Sequence, residues 1–135
     1  MTNLITWIKI AVAALCSGLS FIVGGFDALL QALLVMSVID YITGVSAALA
    51  TKTLSSKTGF AGILKKIAIL CVVACAHLLG QTLGIPQIRS AVIGFYIANE
   101  GISIAENSAA LGVPLPKKFM EVLSQLKDKE DKDDL

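Results

Sequence analysis

Asp40, His77 and Glu100 each stand within a run of apolar residues long enough to cross a lipid bilayer, where an ionisable side chain is costly and normally faces protein or water. A carboxylate and an imidazole at one depth can pair, hydrogen-bond or pass a proton. Counting about 1.5 Å per residue from the ends of the runs puts all three near mid-depth. Asp40 and His77 are therefore expected to be an intramembrane polar pair in a packed bundle, with a proton-linked or gating role as the sharper alternative. On a helical wheel Ser37, Thr43, Gly44 and Ala47 share the Asp40 face, and Gly80, Gln81 and Gly84 share the His77 face. Small and polar residues together make a helix-packing seam.

A second pattern involves more of the chain. Arg89, Tyr96, Glu100, Ser103 and Asn107 fall on one narrow arc of a helix, flanked by Asn99 and Glu106, while Gly94, Ala98, Gly101 and Ala105 lie opposite. A polar stripe of this length cannot face lipid, because an unsatisfied polar group in hydrocarbon costs several kcal/mol. It is expected to face a subunit interface or a water-filled lumen, or else to pack against Asp40 and His77 within the protomer. The glycine and alanine face is expected to pack on the protein's own helices.

Enzymatic templates find no match. The single His gives no Ser/His/Asp arrangement, and the Ser55–Gly59 segment lacks the spacing of a phosphate-cradling loop. His77 points away from the face shared by Cys71 and Cys75, so neither catalysis, a metal nor a cofactor is expected. Cys16, Cys71 and Cys75 lie in apolar runs and read as small hydrophobic residues.

The elements that must position these residues are helical. In 135 residues, 56% are hydrophobic and the mean hydropathy is +0.80, well above the composition of a soluble domain. Apolar stretches run over residues 4–23, 28–50, 67–83 and 88–111, each close to the 17–25 residues a hydrocarbon core of about 30 Å demands. The fold class is all-α: a small polytopic transmembrane bundle of three to four membrane helices, oligomeric, with a short amphipathic helix after it. Residues 1–113 form the transmembrane domain, and residues 114–135 form the amphipathic helix, carrying Phe119, Val122, Leu123 and Leu126, and a charged tail from Lys127. Leu4–Val23 reads as a retained helix that spans the membrane or lies in its interface. The Gly24–Asp27 turn is expected to make the first two segments antiparallel neighbours.

Charge sets the orientation. Ten of the eleven Lys and Arg residues fall on one side if the four segments alternate in direction, with Arg89 alone on the other. Such a bias places the basic side in the cytoplasm, with both termini. Residues 51–66 are then a cytoplasmic loop whose Lys52, Lys57, Lys65 and Lys66 meet the anionic leaflet. A net charge of +1 gives no reason to expect nucleic acid as a partner.

Several strings occur in order: Asp40–Gly44, Leu54–Ile63 with Lys65 and Lys66, Asn99–Asn107 and Leu111–Lys118. From about Leu33 to Leu126 this ordered set resembles the toxin-secretion/phage-lysis holin family of Gram-positive bacteria and their phages. The resemblance implies a holin. Such a protein forms homo-oligomers in the cytoplasmic membrane, and the resulting lesions release an endolysin or a toxin without requiring direct contact with it. The residues alone leave two other readings open, a small ion-coupled transporter and a non-conducting membrane scaffold. Loss of membrane potential on expression, proton-dependent resistance, or neither would separate the three.

Overall fold

The computed structural model describes residues 1–122, 124 and 125. It contains four long α-helices: α1 (Thr2–Ile22), α2 (Ala28–Ala50), α3 (Ser56–Leu83) and α4 (Gln87–Ala110). Residues 117–122 add a short helical segment, begun by Phe119 and Met120 N–H groups donating to the Pro116 carbonyl. Phe119 and Val122 on it are exposed. Leu123, Leu126 and the charged tail, expected to complete this amphipathic helix, lie outside the described residues.

Local chemistry explains where each helix begins and ends. The Asp27 carboxylate accepts the Leu30 N–H at 3.0 Å and caps α2. Ser55 and Thr58 form a reciprocal capping box at the start of α3. Gly84 closes α3 in the left-handed conformation with φ +70°, and Pro86 follows, where it opens α4.

The capping box moves one boundary well away from its expected place. Apolar content alone starts the third segment at residue 67, whereas α3 starts at Ser56 and runs for 28 residues. The connection between α2 and α3 shrinks from the expected 51–66 to Thr51–Ser55. Lys57, Lys65 and Lys66 are therefore helical residues.

α2, α3 and α4 share one core, in which Leu33, Val73 and Ile93 are fully enclosed and Leu30 and Ile69 nearly so. α4 lies against both α2 and α3, and those two touch each other only slightly. α1 differs. None of its residues is buried, and it meets α3 rather than α2, contrary to the expected antiparallel neighbours. The cause lies in the turn: Gly24 and Gly25 take φ values of +86° and +104°, open only to glycine at low cost, and the backbone there is drawn onto α4.

α1, α2 and α3 are each long and apolar enough to cross a membrane. α4 has the length, at 24 residues, but its Arg, Asn, Glu and Ser residues make it too polar to qualify by composition. Its place depends on how the polar groups are satisfied.

Candidate functional site: an ionic cluster joining three helices

Starting α3 at Ser56 changes which residue faces Asp40. Asp40 lies ten residues before the end of α2, and Lys66 ten residues after the start of the antiparallel α3, so the two share a level. The Lys66 ammonium donates to both the Asp40 and the Glu100 carboxylates, joining α2, α3 and α4 through one nitrogen. Glu100 is only 3% exposed, and the Asp40 and Lys66 side chains are 13% and 18% exposed.

Asn107, two α4 turns beyond Glu100, extends the cluster. Its amide donates to the Asp40 carboxylate at 3.1 Å, to the Asp40 carbonyl at 3.3 Å and to the Thr43 hydroxyl at 3.1 Å. Gly44 lies against it: a Cβ there would sit 3.4 Å from the Asn107 amide nitrogen, at contact distance. Nearer the α2–α3 connection, the Tyr41 hydroxyl donates to the Gly59 carbonyl at 3.3 Å, and the Tyr41 ring lies against Gly62. A cavity of about 200 Å³ opens between these helices, lined by Asp40, Tyr41, Lys65, Lys66, Ser103 and Asn107 among others.

A second ionic centre sits at the opposite end of the bundle. Arg89, 7% exposed, donates through Nε to the Val23 carbonyl at 2.6 Å and through Nη2 to the Gly25 carbonyl at 3.0 Å. Its fork also binds Asp27, with Nη1 to Oδ2 at 2.7 Å and Nη2 to Oδ1 at 3.2 Å. These hydrogen bonds from Arg89, with that from the Leu30 N–H, hold the Asp27 carboxyl below its ordinary value of 3.8.

The expected pair of Asp40 with His77 is corrected: Lys66 is the partner of Asp40. His77 lies three α3 turns beyond Lys66, about 16 Å along the axis. Its Nδ1 borders Gly24 beside Arg89, and its Nε2 is 3.5 Å from the Gln81 amide nitrogen. Depth reckoned from a segment beginning at residue 67 put the wrong residue of α3 level with Asp40.

The α4 stripe faces the protomer's own interior. Arg89 and Glu100 are buried, Ser103 lines the cavity and Asn107 bonds to α2. Tyr96 packs on the core, its ring edge-on to Phe95 at 5.2 Å. Of the opposite face, Ala105 is buried and Gly101 lies against Met36, but Gly94 has open space beside it. Lys52, Lys57 and Lys65 are exposed, so of the four basic-loop residues only Lys66 turns inward. Lys66 and Asp27 are the two residues missed as ion-pair partners. The Ser55–Thr58 capping signal and the Asp before an apolar run were the clues to them. Among the described residues no His, Cys, Asp and Glu group is arranged to hold a metal ion.

Apolar helices closed around polar side chains that satisfy one another define a small polytopic membrane protein. Residues 17–128 match the Bacteriophage holin family, and the chain belongs to that family. The matched region begins near the end of α1 and takes in α2, α3 and α4 entirely. The chain is 43% identical over 132 residues to an uncharacterized 14.9 kDa protein in the nagH 3′ region of Clostridium perfringens, covering 96% of this chain and 100% of that one. An uncharacterized protein of Halalkalibacterium halodurans is 40% identical over 138 residues, covering 98% and 100%. A relative from Bacillus phage phi105, described as a probable holin, is 36% identical over 103 residues, or 76% of each chain. No solved structure matches the chain.

Proposed function

We propose that this protein acts as a holin, accumulating in the cytoplasmic membrane of a bacterium with both termini in the cytoplasm. There it assembles with further copies of itself into lesions that release a cell-wall hydrolase or a toxin and time the lysis of the cell. The observation that carries this reading is the placement of α4. Its polar side is shielded from lipid by α2 and α3, with Glu100 closed in by Lys66 and Asn107 bonded to Asp40. A helix of this kind is stable while packed, yet it can face water once its neighbours are exchanged for other subunits. The packed protomer is then the resting form, and Tyr96, Glu100, Ser103 and Asn107 line the lesion. The relative described as a probable holin supports the reading.

Induced expression in a bacterial host tests it. Membrane potential should hold during accumulation and then collapse abruptly, with lysis when an endolysin is co-expressed. Single cysteines at 96, 100, 103 and 107 should become accessible to a water-soluble reagent only after the collapse. Continued growth at full expression, or labelling that does not rise on collapse, would overturn the reading.

A further inference from the structure

The charges at the three-helix junction do not balance. Two carboxylates, Asp40 on α2 and Glu100 on α4, share the single ammonium of Lys66 on α3. With every group ionised the cluster carries one net negative charge, near the middle of α2, a helix long and apolar enough to cross a membrane. Water-poor surroundings disfavour an uncompensated charge, and two carboxylates sharing one site resist joint ionisation.

Other charges are too far away or too well hydrated to restore the balance. Lys65 on α3 lines the cavity but is exposed, and among the described residues it forms no ion pair. Arg89 is about 16 Å away along α4 and is committed to Asp27. Asn107, Ser103 and Tyr41 bring only neutral groups. α1, whose one charged side chain is Lys9, packs on neither α2 nor α4.

We infer that the Asp40–Lys66–Glu100 cluster is a proton-binding site, in which the two carboxylates together hold one exchangeable proton reached through the adjoining cavity. The proton makes the cluster neutral: one carboxylate paired with Lys66, the other a carboxylic acid. Asn107, donating to Asp40, steadies it as the carboxylate when Glu100 holds the proton. Loss of the proton leaves a net charge between the helices that hold α4 out of water, so occupancy of the site governs how tightly α4 is retained. The inference rests on placing α2–α4 in the membrane and not on lesion formation. A chain that never permeabilised a cell would still bind the proton.

Infrared spectroscopy of the full chain in dodecyl maltoside, a detergent with no carbonyl of its own, tests it directly. The C=O stretch of a protonated carboxyl should persist at about pH 7, well above the range in which exposed Asp and Glu ionise. The band should disappear in both Asp40→Asn and Glu100→Gln, where the remaining carboxylate is balanced by Lys66. It should grow in Lys66→Met, where two carboxyls lack a counter-ion. Circular dichroism identifies which variants fold, and either carboxamide variant alone suffices. Absence of the band in the wild type above about pH 5, or a band unchanged in a folded carboxamide variant, would overturn the site. So would its loss on adding sodium ions at constant pH, since a metal cation would then be the occupant.

Discussion

The two ionic centres of this protein are built from the same materials to opposite effect. At the turn end, Arg89 spreads four hydrogen bonds over two carbonyls and one carboxylate, and Asp27, its side chain 51% exposed, keeps part of its hydration. Charges match one to one, and the arrangement clamps the α1–α2 turn to α4. At the cluster, a single ammonium serves two carboxylates, none of the three side chains more than 18% exposed. The first centre is complete as it stands. The second is unequal, two carboxylates against one ammonium, beside a cavity lined by the exposed Lys65.

Perturbing each centre in turn sharpens that contrast. The largest effect should come from Lys66→Met, which strands two buried carboxylates. Removing one partner of a buried ion pair costs about 3–5 kcal/mol, so thermal unfolding in detergent should fall steeply. Adding Asp40→Asn and Glu100→Gln to the same chain should restore most of the loss. If the triple variant were no better, packing rather than charge would dominate the cluster.

Arg89→Gln should cost less, about 2–3 kcal/mol, because it orphans the Val23 and Gly25 carbonyls but leaves Asp27 partly hydrated. A loss larger than that of Lys66→Met would reverse the ranking of the two centres.

Gly80→Ala probes the clamp end without touching charge. A Cβ at Gly80 would stand 2.8 Å from the Ile85 carbonyl oxygen, which belongs to backbone and cannot swing aside. Forcing the α3–α4 turn apart should cost about 1–3 kcal/mol, while Gly94→Ala, in open space, should be harmless.

The smallest effect is a pH dependence. The Asp27 carboxyl is held below 3.8, so its contribution to stability is complete above that value and is lost as the pH falls through the lowered one. Half-exposed as it is, the change should be slight. Asp27→Asn, which keeps a capping side chain, should abolish it. A stability change centred well above pH 4 that survives this substitution would belong to the other centre.

Much of this design was open to view in the sequence. Apolar runs, the glycine and proline turns and the charge bias specify an all-helical membrane protein, and the α2 bounds follow from composition alone. Asp40, Glu100, Asn107 and Arg89 stood out because polar groups in apolar runs must be satisfied somewhere. Their partners were harder to read. Composition detects where hydrocarbon begins, whereas a helix begins where its first N–H groups are capped, and for α3 these points differ by eleven residues. That offset moved Lys66 from the loop to the bundle interior and took His77 away from Asp40. Lysine also misleads by nature: its long apolar stem lets the same residue serve as a topology marker at the surface or as a counter-ion inside.

The length of α3 has a further consequence. Twenty-eight helical residues rise about 42 Å, some 12 Å more than a typical hydrocarbon core, whereas the 23 residues of α2 rise only about 35 Å. One span is thus oversized beside its neighbour, and it must tilt or project beyond the acyl region. Bilayer thickness should then bear on how α3 sits: a thicker bilayer is expected to draw the first turns of α3 inward and Lys57 with them. In vesicles of graded acyl-chain length, fluorescence from a probe at Ser56 should shift to the blue as the chains lengthen. An invariant signal would mean that α3 changes its tilt instead.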